Sequence, residues 1–302
     1  MSQPHYTRLE GRAILVVNGE DAVSFLQGLV SNDVEKVTAA HSIWSAFLTP
    51  QGKFLHEFMM VHQPNGLYLD CEADRADDLM MRLKRFRLRS KVELEVATSL
   101  SVAAVWGDTP GADLPLESEA GRTFNLDGLH IYYDPRLADA GLRLIGTHDA
   151  LTQVQQAQKW TLASQSDYDA HRIALGLPDG SRDLEVEKAL LLENGFEELG
   201  GVDFKKGCYI GQELTARTHY RALIKKRLLP VTFQGKAPPL GSPLTVDGKD
   251  AGEMKSSADG RGLALIRLAT WRAASEGDLT SIVGTVKVQP SSWMVLPEQS
   301  ES

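Results

Sequence analysis

Phe204-Lys205-Lys206-Gly207-Cys208-Tyr209-Ile210-Gly211-Gln212-Glu213 is the stretch on which the fold and the chemistry of this 302-residue chain turn. It sets a thiol between two glycines, beside two lysines, just ahead of a run, Leu214-Thr215-Ala216-Arg217-Thr218-His219, that reads as a helix. A helix starting near Cys208 would surround the sulfur with unpaired backbone N–H groups at the positive end of the helix dipole. Lys205 and Lys206 would add positive charge beside it. Each influence favours a thiolate, the form that attacks electrophiles and binds soft metals. The plainer alternative is a small buried cysteine chosen for packing.

Upstream of this stretch, strand and helix patterns alternate. Arg12 to Val17 reads as a buried strand, and Ala22, Phe25, Leu26 and Leu29 recur at helical spacing. Ser42 to Leu48 and Phe54 to Val61 form a hairpin about the turn Thr49-Pro50-Gln51-Gly52. Leu67 to Cys71 is a further strand; Ala76, Leu79, Met80, Leu83 and Phe86 mark a second helix, and Lys91 to Val96 alternates as a strand. Strand, helix, hairpin, helix, strand matches the split β-α-β arrangement of ferredoxin-like folds with one strand added, so the fold class is α+β. Short strands follow at Ser101 to Trp106, His130 to Tyr133 and Leu142 to Ile145. Helices follow at His148 to Ala157 and at Ser166 to Leu175, with Ser166 as the expected cap. Leu177 to Lys205 reads as loop. Glycine and proline then punctuate short β-rich segments, which predicts a small barrel or sandwich. The boundary falls near residue 222, giving a lobe over 1–222 and a β domain over 223–302.

Composition narrows the function. Forty Asp plus Glu against 32 Lys plus Arg leave a net charge of −8, which disfavours direct nucleic-acid binding. The one dense basic run, Lys84 to Lys91, reads as a solvated helix end, the alternative being contact with phosphate or an acidic partner. No apolar stretch approaches the roughly 20 residues of a membrane helix. The N-terminal residues carry neither a signal nor a transit pattern, so the expected location is the cytoplasm. Two cysteines, Cys71 and Cys208, cannot build a disulfide framework or supply the four thiolates of an iron–sulfur cluster. No permanent metal site is expected.

The string Lys206-Gly207-Cys208-Tyr209-Ile210-Gly211-Gln212-Glu213, continued by Leu214-Thr215-Ala216-Arg217-Thr218, resembles the signature of the YgfZ family. These are folate-binding-like proteins related to the T-protein, the aminomethyltransferase of the glycine cleavage system. Phe25-Leu26-Gln27-Gly28 with Asn32-Asp33-Val34, the Pro50-Gln51-Gly52-Lys53 turn, Leu88-Arg89-Ser90-Lys91-Val92 and Lys226-Arg227-Leu228 agree with it. The resemblance implies a T-protein-like lobe of two interlocked parts plus a C-terminal β-barrel, around a channel that binds tetrahydrofolate in the relatives. It also implies assembly or repair of [4Fe–4S] clusters on client enzymes, with the motif cysteine as the working residue. On this reading Cys208 is the functional thiolate and a transient, shared cluster ligand. Lys206 supports the thiolate, Gly207 and Gly211 permit the turn and close backbone approach, and Gln212, Glu213 and Arg217 orient the loop or meet the partner; Tyr209 completes the motif. The implied partner is an A-type iron–sulfur carrier, and the chain is expected to be a monomer.

The rival is a folate-dependent one-carbon transferase. Where the resemblance calls for an acidic pair after the glycine turn, this chain has His56 and Glu57, expected on opposite faces of a strand with one of them solvated. Where it calls for a second carboxylate, in Arg172-Ile173-Ala174-Leu175-Gly176-Leu177-Pro178, it has Ala174. An alanine accepts no hydrogen bond from a pterin ring, so aminomethyl transfer is disfavoured and tetrahydrofolate binding is left open. Tyr168, Trp44, Trp106 and Trp160 are either walls of a pterin-sized pocket, with Tyr168 as the candidate contact, or core aromatics.

Overall fold

The computed structural model describes residues 3–126, 128–221, 224–273 and 278–297. They fall into two units. One comprises Met1–Pro50, Leu55–Tyr168 and Gly200–Ile210, the other Gln51–Phe54, Asp169–Leu199 and Gly211–Ser302. The boundary expected near residue 222 lies outside the described residues.

In the first unit, β1 (His5–Arg8) is followed by β2 (Arg12–Asn18), α1 (Ala22–Gln27), β3 (Ile43–Leu48), β4 (Phe54–Gln63), β5 (Gly66–Glu72), α2 (Ala76–Phe86) and β6 (Glu93–Ala97). Five of these strands form a sheet in the order β3-β4-β5-β2-β6. Removing the edge strand β3 leaves the ferredoxin-like order, with β2 central and antiparallel to both β5 and β6. Period-two alternation divides the faces. Leu15, Val17, His56, Phe58, Leu69 and Cys71 share one side, toward α2, to which His56 is hydrogen-bonded through Asp78; Arg12, Ile14, Glu57 and Asp70 share the other.

A second sheet in the same unit adds β7 (Ser101–Trp106), β8 (Thr123–Leu126), β9 (Leu129–Tyr133), β10 (Leu142–Gly146) and β11 (Thr161–Leu162), in the order β11-β1-β7-β10-β9-β8. Its alternate residues Ala103, Val105, Ile131, Tyr133, Leu142 and Leu144 pack against Leu151 and Val154 of α3 (His148–Ala157). The intervening positions, Tyr132 and Arg143, point the opposite way, toward Asp70 of the first sheet. The strand β1 escapes the sequence pattern because it is four residues long with a polar residue at each end. The helix α4 (Gln165–Leu175) begins one residue before the expected start, so Ser166 is not its cap. Ser164 takes that role: its Oγ accepts from Asp167 N at 3.1 Å while the Asp167 carboxylate accepts from Ser164 N at 2.8 Å, a reciprocal cap.

The second unit contains α5 (Gly180–Asp183), α6 (Gln212–Tyr220) and a closed barrel. The barrel strands are β12 (Lys226–Phe233), β13 (Pro243–Val246), β14 (Lys249–Ala258), β15 (Arg261–Arg267), β16 (Asp278–Ser281) and β17 (Gly284–Val288), with α7 (Leu268–Arg272) between β15 and β16. They run β12-β15-β14-β13-β16-β17, and β12 closes on β17. Closure leaves no exposed sheet edge and seals Leu229, Val231, Leu244, Met254, Ile266 and Leu279 inside. Buried Arg172 ties the preceding segment to this barrel, donating to Asp183 at 2.8 Å and to the hydroxyl of Ser256 at 3.1 Å.

Candidate functional site

The cysteine-bearing loop of the first unit is held by a small set of polar side chains. Asp203 Oδ1 accepts from the backbone N–H groups of Lys205 at 2.6 Å and Lys206 at 3.1 Å, which folds the loop back on itself. The Lys206 ammonium donates to the carbonyls of Val30 at 2.7 Å and Asn32 at 2.6 Å and lies 5.3 Å from the Tyr209 ring centroid. Asn32 Nδ2 donates to the carbonyls of Trp44 and Gly200, each at 2.7 Å, and Ser31 Oγ donates to that of Gly201 at 2.6 Å. Gln27 secures the other side: it donates to Asp33 Oδ1 and accepts from Val34 N, both at 2.8 Å. Beyond the cysteine, Ile210 N donates to the carbonyl of Gly28. The thiol of Cys208 is exposed on this clamped loop, and Tyr209 beside it is buried. Burial pushes the Lys206 amine down to about 8, against the pull of Asp33 and Asp203.

Two expectations change here. The helix does not begin near Cys208: Gly211, at φ 81°, is its cap, and the first helical residue is Gln212. A residue in the left-handed region interrupts the helical hydrogen-bond run, so Cys208 is not part of the helix. Lys206, in turn, spends its ammonium on two carbonyls and the Tyr209 ring, acting as a bolt for the loop. Gly211 does provide the turn. Gly207 does not mark a close approach, since a Cβ there would meet nothing within 4 Å. The tight approach lies in the second unit, where a Cβ on Gly52 would sit 2.7 Å from the carbonyl oxygen of Gly211 and 2.8 Å from Leu214 Cβ. In that unit Gln212 opens α6, and Glu213 and Arg217 are exposed on it. Gln27, Asn32 and Asp203, which do the clamping, carry no role in the sequence reading; Gln27 and Asn32 lie in two of the segments that carry the family resemblance.

The other cysteine, Cys71, is buried in β5, where burial pushes its thiol up to about 12. No group of three or more His, Cys, Asp or Glu suited to a metal ion lies together among the described residues.

His56 and Glu57 do occupy opposite faces, but neither is solvated, because each face of this sheet is covered. On one face His56 Nε2 meets Asp78 at 3.0 Å, and burial, with the charge of Arg75, pushes its imidazole down to about 4. On the other, Glu57 accepts from Arg12 at 2.6 Å and from Trp44 Nε1 at 2.5 Å. Arg12 also reaches Asp70 at 2.6 Å; Asp70 accepts from Arg143 at 2.9 Å and from the Tyr132 hydroxyl at 3.2 Å. Arg143 continues to Asp134 at 3.0 Å and to the hydroxyl of Tyr168 at 3.2 Å, and Arg136 closes the chain on Asp134 at 2.7 Å. Burial alone would raise the Asp134 carboxyl, yet Arg136 and Arg143 hold it well below the usual carboxylate range. This paired chain of charges stitches the two sheets together. Trp44, Trp106, Trp160 and Tyr168 are all buried core residues.

These features have counterparts in known proteins. Residues 225–296 match the family model described as the CAF17 C-terminal beta-barrel domain. The mitochondrial iron–sulfur cluster assembly factor IBA57 of Mus musculus is 34% identical, over 95% of this chain and 84% of its own length. The Homo sapiens protein of the same name is 35% identical, over 90% of this chain and 79% of its own. The chain belongs to the IBA57 family of iron–sulfur cluster assembly factors. The expected cytoplasmic location does not stand, because these IBA57 relatives are named as mitochondrial proteins. In fold, the chain is similar to the glycine cleavage system aminomethyltransferase T of Bartonella henselae, with a TM-score of 0.76 over 97% of this chain and 87% of that one at 14% identity. The T-protein-like fold with a C-terminal barrel is thus the architecture of this IBA57-family chain.

The residues at the transferase positions do not fit folate chemistry of that kind. Ala174 is exposed on α4 and offers no acceptor. Both oxygens of Glu57 are committed to Arg12 and Trp44, and His56 is committed to Asp78. Aminomethyl transfer has no free carboxylate to act through at these positions.

Proposed function

We propose that this chain is a YgfZ-type iron–sulfur cluster assembly factor whose working atom is the sulfur of Cys208. The single observation that carries this reading is an exposed thiol on a loop whose backbone is fixed by Lys206, Asn32 and Asp203. A thiol held this way enters a partner's metal site at little entropic cost. Cys208 gives up its proton to solvent and supplies one thiolate to a cluster whose other ligands come from an A-type carrier and, on transfer, from the client [4Fe–4S] enzyme. One cysteine makes a transient, shared ligand rather than a store, which suits handover.

Replacing Cys208 with Ala tests this in a strain lacking its endogenous factor. The variant should fold with unchanged circular dichroism and fail to restore [4Fe–4S] enzyme activity. Full restoration by the folded variant would remove the role assigned to the sulfur.

A further inference from the structure

The end of α2 carries a feature that the thiol site does not use. Lys84, Arg85, Arg87 and Arg89 are exposed, and none of them has an ion-pair partner among the described residues. In a chain of net charge −8, uncompensated cations at one tip are a departure from the surrounding surface. Among them stands Leu88, 88% exposed; Met81 and Phe86 of α2 are also exposed in part, the Phe86 ring packing edge-on against Phe47. Leu88 adopts φ 43°, the left-handed region in which a branched side chain is strained and glycine is not. A leucine that pays this steric cost while burying almost nothing gains no stability from its place. Its turn is nonetheless firm: Ser90 N donates to the carbonyl of Arg87 at 2.7 Å, and Lys91 N donates to the carboxylate of Asp21 at 2.7 Å. The knob borders an open recess of about 750 Å³ lined by Asp21, Leu88, Arg89 and Ser90.

We infer that this tip is a docking point for a protein partner, in which Leu88 enters an apolar notch and Arg85, Arg87 and Arg89 meet an acidic rim. A rigid apolar knob ringed by arginines has the make-up of a protein interface centre. Charge complementarity sets the sign of the partner. Asp21 in the recess, and Glu20 paired with Lys91, put negative charge at the same tip. Phosphates of a nucleic acid or bilayer answer the arginines but leave Asp21 without a cationic answer, whereas a protein surface can answer both signs and seat Leu88.

The test uses the full chain and a short fluorescein-labelled peptide carrying a central Leu-Phe pair between runs of Asp and Glu, followed by anisotropy. The peptide should bind, more weakly as salt rises, and the double variant Arg85→Glu/Arg89→Glu should weaken binding by about tenfold or more. Leu88→Gly separates the interface from the fold: it should reduce peptide binding while leaving the thermal midpoint equal or higher, because glycine relieves the backbone. No peptide binding by the parent chain, or equal binding by these variants, would overturn the inference. So would tighter binding through the same arginines to oligouridine or to phosphatidylserine-containing vesicles, or a dimer of the parent chain that Leu88→Gly dissolves.

Discussion

Replacing Lys206 with Met removes the bolt of the cysteine loop while keeping much of its aliphatic length. The ammonium's partners are the carbonyls of Val30 and Asn32, at 2.7 and 2.6 Å, and both residues are buried. Leaving a buried carbonyl without its donor costs about 1 to 3 kcal/mol, so the pair costs about 2 to 6. Part of this returns because a half-buried ammonium, whose amine is pushed down to about 8, no longer has to be kept from water. With solvent screening of a side chain that is partly exposed, that return is about 1 to 2 kcal/mol. The net, about 1 to 4 kcal/mol, falls on the opening of the 203–210 loop rather than on global unfolding. At about 1.4 kcal/mol per factor of ten, amide hydrogen exchange across residues 203–210 should accelerate roughly fivefold to sevenhundredfold. Exchange in the barrel strands should not change. Identical exchange over 203–210 in the two proteins would refute the claim that Lys206 fixes the loop.

Three further outcomes follow from other sites. His56 is depressed in the folded chain from 6.5 to about 4, so the folded state binds fewer protons than the unfolded one within that window. Its contribution is complete above about pH 6.5 and is lost as pH falls toward 4, by about 3 kcal/mol at most, and urea midpoints of His56→Gln should flatten over that range. Glu57→Ala strips Arg12 and Trp44 of a buried acceptor and should cost about 3 to 5 kcal/mol in urea denaturation, whereas Glu57→Gln should cost less. Gly52→Ala forces a Cβ to within 2.8 Å of Leu214 Cβ at φ +76°, and should lower stability by about 2 kcal/mol or more, with increased exchange at the start of α6.

Much of the fold is legible because its signals are local. Alternation at Leu15, Val17, Leu67 and Leu69 marks strands, and the Leu79 and Leu83 spacing marks α2, without knowledge of any partner. The paired charges are not legible in this way. Arg143, Asp134 and Arg136 look like surface residues in sequence, and their burial is tolerable only because Asp70, sixty and more residues earlier, supplies the balancing carboxylate. The same holds for Glu57, whose partner Arg12 lies on a neighbouring part of the sheet. At the candidate site, the motif identifies Cys208, but the start of α6 depends on the φ of Gly211, and the direction of Lys206 depends on carbonyls from the 30–32 turn. Residue type gives chemistry; only the folded backbone gives direction.

The most direct measurement is anaerobic mixing of this chain with a cluster-loaded A-type carrier, read by absorption spectroscopy and size-exclusion chromatography, with the parent chain and with Cys208→Ser. The parent should form a complex whose cluster spectrum differs from that of the carrier alone, and the variant should leave the carrier's spectrum unchanged. An identical cluster-bearing complex with Cys208→Ser would contradict the account.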